Sequence, residues 1–278
     1  MRARKRFGQH FLHDPAVIAR ILAAVDLRHG DAAVEIGPGH GALTAGLLQA
    51  AGRLDAIEID RDLAAALGGR LAAAGAGAAA AAGALQVHVA DALQFDWNAL
   101  AAARGARLRL VGNLPYNVST PLLFRLLQSA DAIADMHFML QKEVVDRIVA
   151  APGTPAYGRL TVMLAPRVSS VRVLDVGPGA FRPAPKVASS VVRLCVIESP
   201  RPVSPLYAPL VAAAFSQRRK TLRNALRAYL SAEQIGALGL DPGGRAEQLA
   251  PLEFARLAEA AALLRTPALA QAPAAVLH

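Results

Sequence analysis

The chain has 278 residues, of which 54% are apolar and 18% charged, and it carries a formal net charge of +9. That composition supplies one large core or two smaller ones and excludes a globally disordered chain. The single cysteine, Cys195, excludes an internal disulfide framework and a cysteine-clustered zinc site, the histidines show no metal-ligand spacing, and no apolar run reaches the roughly 18 residues of a membrane span. The N-terminus is basic but has no apolar signal-peptide stretch, so a cytoplasmic, metal-free protein is expected.

The spacing predicts a first helix over 14–28, with Asp14 as N-cap, Pro15 at the first helical position and Ile18, Ile21, Leu22 and Val25 on one face. Residues 32–36 read as a short buried strand running into glycines, 42–51 as a helix, 54–59 as a second strand and 62–74 as a second helix. The Ala/Gly stretch 75–83 reads as a loop, because glycine costs about 1 kcal/mol against alanine inside a helix. Further strands are expected at 85–89, 107–112 and 137–141, with helices over 121–127 and 143–150. Short buried strands alternating with helices indicate an α/β, doubly wound Rossmann-like parallel sheet. The β-branched runs 168–176 and 189–197 then form a hairpin that closes a sheet of about seven strands. Three prolines in 199–206 mark a boundary. The expected organisation is a domain over 1–198, a small all-α domain over 199–265 and a disordered tail over 266–278.

Charge is unevenly placed. Arg4, Lys5 and Arg6 form one cluster; between Arg201 and Leu230 there are six basic residues, among them Arg218, Arg219, Lys220 and Arg223, and no acidic one. A solvated face would account for either alone. Two such patches without acidic partners point to nucleic acid, whose phosphates they would neutralise.

Val34-Glu-Ile-Gly-Pro-Gly-His-Gly41 follows the first strand and opens a helix. Gly37 and Gly39 let the backbone approach a ligand, and the helix N-terminus presents unpaired N–H groups. Glu58 ends the second strand, where a carboxylate can accept both hydroxyl protons of a ribose. A nicotinamide dinucleotide site would look similar. The Gly-x-Gly-x-Gly spacing, together with Glu35 just before the turn, favours S-adenosylmethionine: Glu35 can meet a cationic amino acid moiety and would repel a pyrophosphate. Asp91, after the third strand, can accept from an adenine amine or cap the following helix.

Asn113-Leu114-Pro115-Tyr116 ends the fourth strand. The exocyclic amine of adenine is a poor nucleophile because its lone pair is delocalised into the ring. The Asn113 amide oxygen and a backbone carbonyl beside Pro115, both accepting from that amine, would localise the lone pair. Tyr116 offers a face for the base, worth on the order of 1–3 kcal/mol. No strong base is required, and orientation and electrostatics do most of the catalysis. The competing reading is a plain strand-ending turn.

These motifs, with Arg4-Lys-Arg-Phe-Gly-Gln-His-Phe-Leu12, Phe181-Arg-Pro-Ala-Pro-Lys-Val187 and Phe215-Ser-Gln-Arg-Arg-Lys-Thr-Leu222, resemble the ribosomal RNA adenine N6-dimethyltransferases over about residues 4–264, and the small-subunit members in particular. The resemblance implies dimethylation by S-adenosylmethionine of two adjacent adenosines in the 3′-terminal hairpin loop of 16S rRNA, within an immature small subunit. It implies cofactor contacts from His10, Leu12, Gly37, Glu58, Asp91 and Asn113. It also implies a target amine held by Asn113 through Tyr116. Phe181, between Gly-Pro-Gly and Pro-Ala-Pro, could plug the core or, in proline-rich, loop-like surroundings, stand exposed, and the resemblance implies that it stacks on the target base. A monomer is expected. The alternatives are an assembly factor that mainly binds the subunit and a large-subunit rRNA adenine methylase. A nicotinamide-dependent oxidoreductase lacks a catalytic acid–base pair.

Overall fold

The computed structural model describes residues 10–76, 83–198, 200, 202–217 and 219–265. Arg4, Lys5, Arg6, Arg218, the middle of the Ala/Gly loop and the expected tail 266–278 lie outside the described residues.

The first unit begins with a two-residue strand, β1 (Phe11–Leu12), and helix α1 (Pro15–Val25). Asp14 caps α1 as its sequence indicates, accepting from the backbone N–H groups of Ala16 and Val17. Then follow β2 (Ala33–Ile36), α2 (Thr44–Ala51), β3 (Leu54–Glu58), α3 (Arg61–Leu71), β4 (Leu85–Val89), α4 (Trp97–Arg104), β5 (Leu108–Asn113), α5 (Ser119–Leu127), β6 (Ile133–Gln141) and α6 (Lys142–Ile148). The first unit closes with β7 (Val168–Val176), β8 (Phe181–Arg182) and β9 (Ser189–Val196). Seven strands form one sheet in the order β4-β3-β2-β5-β6-β9-β7, and β1 pairs with β8 in a separate two-stranded ribbon.

The five strands from β4 to β6 are parallel, and β9 and β7 are antiparallel additions. The expected hairpin is present, with the later strand on the inside. The residue patterns explain this order. Ser189–Val196 is nearly all buried, as a strand covered on both sides must be, whereas β7 exposes Ser169, Val171 and Asp175, as an edge strand can. Chain order reverses between β2 and β5, so the crevice beyond their C-terminal ends is the switch point where such sheets bind ligands. Close approach of these strands requires Gly112: a Cβ there would lie 2.6 Å from the Ile36 carbonyl oxygen.

Helix α4 and the β1–β8 ribbon were not evident in the sequence. The ribbon has two residues per strand, too few for a period of two to register.

Contacts divide the chain at 149/150, 166/167 and 198/199. Residues 150–166 therefore group with the C-terminal helices, not with the contiguous 1–198 domain expected from sequence. That segment contains α7 (Arg159–Leu164), which joins α8 (Tyr207–Ala214), α9 (Leu222–Ala225), α10 (Ala232–Ala237) and α11 (Pro251–Arg265). Tyr157 and Val162 pack in one core with Leu210, Phe254 and Leu257. The Tyr157 hydroxyl donates to the Leu249 carbonyl and that of Tyr207 to the Val162 carbonyl, each at 2.7 Å. The apolar rings and their satisfied hydroxyls together tie 150–166 into the helical unit.

Candidate active site

A cavity of about 310 Å³ opens at the switch point of the sheet, and its walls include His10, Leu12, Glu35, Gly37, Gly39, Glu58, Asp91 and the run Asn113–Tyr116. Every cofactor-binding candidate from the sequence therefore lines one space.

The glycine turn forms one wall. Gly37 and Gly39 have φ of 69° and 57°, in the left-handed region that glycine adopts without strain. A Cβ on Gly39 would lie 3.2 Å from the Phe11 ring. Phe11 lies against His40 with ring centroids 3.9 Å apart and the ring planes tilted by 43°. This places the N-terminal strand across the turn, anchored from both sides: the His10 ring Nδ1 lies 2.7 Å from the Pro183 carbonyl oxygen, and His13 N–H donates to the Ala180 carbonyl.

The two glutamates are buried, and both have raised pKa values. Glu35 is 3% exposed and its carboxylate accepts from Thr44 Oγ1 at 2.6 Å. Burial pushes its pKa up to about 7, opposed by the Thr44 hydrogen bond and reinforced by the nearby Glu58. Glu58 accepts from Gly39 N–H at 3.2 Å and from Asp60 N–H at 2.9 Å, and burial holds its pKa above the usual carboxylate range. Each Glu58 oxygen keeps acceptor capacity for a ligand hydroxyl. Among the described residues no Lys or Arg makes an ion pair with Glu35 or Glu58.

Asp91 closes a turn. Its carboxylate accepts from Leu93 N–H at 2.9 Å. It does not cap a helix: Asp96 caps α4. Asp91 also lines the cavity.

On the opposite side, Asn113 Nδ2 donates to the His10 carbonyl at 2.9 Å. The donor half of the amide is thereby tied to the N-terminal strand, and Oδ1 is left as an acceptor. The Pro115 carbonyl accepts from Val118 N–H, so the carbonyl free for an amine is that of Leu114. Leu114 N–H in turn donates to the Met139 carbonyl, fixing that peptide against β6. Tyr116 stands beside the His10 ring at 5.7 Å, and its hydroxyl shares a hydrogen bond of 3.0 Å with Ser189.

Phe181 requires a correction. An exposed ring was expected from its proline-rich surroundings. The ring is 3% exposed, packs in the core with Leu12 and Ala180, and does not line the cavity. Strand pairing is the cause: β8 lies against β1, with Phe181 opposite Leu12, so both side chains turn into the core. Arg219, Lys220 and Arg223 are exposed in the helical unit. Thr44, Phe11, His40 and Ser189 were missed; Thr44 meets Glu35 nine positions away and the others meet partners farther off, and no local pattern signals these pairings.

The ribosomal RNA adenine dimethylase family model matches residues 1–263. The chain belongs to that family. It is a methyltransferase of ribosomal RNA adenines. It is 50% identical over 261 residues to the Ribosomal RNA small subunit methyltransferase A of Pseudomonas fluorescens, covering 93% of each chain. Its fold is similar to a dimethyladenosine transferase from Plasmodium falciparum (TM-score 0.75, 25% identity, 89% of this chain and 96% of that one). It is also similar to the 23S rRNA methyltransferase ErmE (TM-score 0.69, 26% identity, 91% and 99%). Among the described residues no group of acidic, histidine or cysteine side chains could hold a metal in this methyltransferase, and no helix is long and apolar enough to cross a membrane.

Proposed function

We propose that this dimethylase transfers methyl groups from S-adenosylmethionine to N6 of two adjacent adenosines, two to each, in the 3′-terminal hairpin loop of 16S rRNA in an immature small subunit. The observation that carries the reading is the Asn113 amide: its NH₂ is held by the His10 carbonyl, so its oxygen remains as an acceptor at the cavity wall. The 50% identity to a small-subunit enzyme, against 26% to a large-subunit one, supports the choice of subunit.

The cavity residues fit the cofactor. Glycines with positive φ leave room for its backbone contacts, Glu35 is a buried carboxyl with no ion-paired Lys or Arg among the described residues, and Glu58 retains acceptor sites. Glu35 would face the cationic amino acid end, Glu58 the ribose hydroxyls and Asp91 the adenine amine, with His10, Leu12, Gly37 and Gly39 closing around it. When bound, S-adenosylmethionine supplies a methyl group on a positively charged sulfur.

The rest of the chemistry belongs to the chain. In the first transfer Asn113 Oδ1 and the Leu114 carbonyl accept hydrogen bonds from the two N–H groups of the target amine, drawing its lone pair out of conjugation; in the second the monomethylated amine donates its one remaining N–H to one of them. Pro115 stiffens that corner. Tyr116 stacks on the base, which must leave its RNA stack at a cost of a few kcal/mol, least in a loop. The amine proton is released after nitrogen becomes cationic, so no strong general base is needed. Phe181 supports Leu12 from below and takes no part in stacking. Arg219, Lys220 and Arg223, with Arg4, Lys5, Arg6 and Arg218, grip RNA phosphates. The reaction takes place where subunits are assembled, in the cytoplasm.

The test is incubation with labelled S-adenosylmethionine and, in parallel, small and large subunits from an unmethylated strain, followed by mapping of the modified nucleotides. Label on two adjacent adenosines of the 3′-terminal loop is expected. Label only on large-subunit RNA, or normal subunit maturation with an Asn113→Ala variant that still binds RNA, would overturn the reading in favour of a different substrate or a binding role.

A further inference from the structure

We propose that Ser189 is a positioning residue for methyl transfer, holding the Tyr116 ring in place before the target base arrives. The proposal rests on the reading of Tyr116 as the ring on which that base stacks.

Ser189 is the first residue of β9, which is paired on both sides: it lies opposite Gln141 of β6 and Val176 of β7. The adjoining backbone is also tied, with Lys142 N–H donating to the Ala188 carbonyl. Ser189 is 1% exposed and does not line the cavity, so it meets no ligand directly. Its hydroxyl has the Tyr116 hydroxyl as partner at 3.0 Å, a contact spanning 73 positions of sequence.

Tyr116 is placed differently. It follows β5 in an irregular stretch and is half-buried at the cavity wall. Val118 N–H on the Pro115 carbonyl and Ser119 Oγ on the Tyr116 carbonyl hold its backbone, and neither fixes its side chain. A tyrosine in a turn can rotate about χ1 and carry its ring out of the wall. The bond to Ser189 grips the far end of the ring and removes that rotation, while leaving a χ2 flip that presents the same face. Ordering the ring in advance avoids doing so when the base binds, an effect of about two- to tenfold in rate.

The test is a double-mutant cycle of wild type, Ser189→Ala, Tyr116→Phe and the double variant. Single-turnover methylation of unmethylated small subunits is measured with cofactor affinity and Tm. Each single substitution removes the same bond from one end, so each should slow transfer about two- to tenfold with cofactor affinity unchanged. The double variant should be no slower than the slower single one, and Ser189→Thr, which keeps the hydroxyl, should restore the rate. Multiplying effects in the double variant, or a wild-type rate in Ser189→Ala, would overturn the proposal. Tyr116→Ala separates the two layers. A wild-type rate there removes the stacking reading itself, whereas a slow Tyr116→Ala beside a wild-type Ser189→Ala removes only the role of Ser189.

Discussion

The two ends of the parallel sheet treat buried carboxylates in opposite ways. At the N-terminal ends of the strands each carboxylate has a cation. Asp55, fully buried, takes the guanidinium of Arg104 and the ring of His88. Arg109 joins Asp31 at 2.7 Å and Asp135 at 2.9 Å, and also donates to the Val25 and Asp26 carbonyls. These contacts hold the Asp31 carboxyl below its usual range despite partial burial. At the C-terminal ends, among the described residues, Glu35 and Glu58 are buried against hydroxyl and backbone donors with no ion-paired Lys or Arg, and their pKa values are raised. One end is satisfied by the chain and stabilises the fold. At the other, no described Lys or Arg pairs with Glu35 or Glu58, which suits that end to a cationic ligand.

The comparison can be broken most severely at Asn113. Asn113→Ala removes the acceptor for the amine while leaving the glutamates in place. Single-turnover transfer should fall about 10²- to 10³-fold, by analogy with loss of one preorganised polar group in other active sites. Cofactor affinity measured by calorimetry should fall by far less than the rate, reflecting only the lost Asn113 contact and the released His10 carbonyl.

The next largest effect belongs to the opposite end. Arg109→Ala leaves Asp31 and Asp135 without their main cation, and breaking such a partly buried network costs about 3 kcal/mol. Denaturant unfolding should report the loss, and the rate per folded molecule should stay near wild type. Equal damage to rate and stability would mean that the two ends are not separable.

The third effect is in pH. With the Glu35 carboxyl near 7 in the free protein, binding of a cationic ligand below that pH requires loss of a proton. Affinity for S-adenosylmethionine should therefore rise with pH, by up to about tenfold per unit, and level off above about 7. Glu35→Gln should flatten this rise and weaken binding. In the free protein the sign is reversed: a carboxyl raised on folding makes the folded state less stable as pH climbs from 4.5 to about 7.

The smallest effect concerns His137, beside Asp135. It is buried, neither ring nitrogen has a hydrogen-bond partner among the described residues, and burial pushes its pKa down to about 4. The folded state holds it neutral, so stability should decline as pH falls from 6.5 toward 4. His137→Leu should give a shallower acid limb in thermal melts.

What the sequence disclosed follows the same division. Gly37, Gly39, Glu58, Asp91 and the corner at Asn113 were legible because each is a local signal: a glycine where φ is positive, or a polar residue at a strand's C-terminal end. The parallel sheet was legible from short apolar runs between helices. Burial of Phe181 was hidden, because it depends on a two-residue strand meeting another about 170 positions away. The attachment of 150–166 to the helical unit was hidden for the same reason: Tyr157 and Tyr207 find their carbonyls across long sequence separations. The ion network around Arg109 also joins residues from four segments, and nothing in any one of them announces it.

The most direct measurement is a structure of the enzyme with an S-adenosylmethionine analogue and an RNA hairpin carrying the target adenosine. The adenine N6 should lie about 2.7–3.2 Å from both Asn113 Oδ1 and the Leu114 carbonyl oxygen, with the base on Tyr116. An adenine bound elsewhere, or an Asn113 amide turned so that its nitrogen faces the base, would contradict the account.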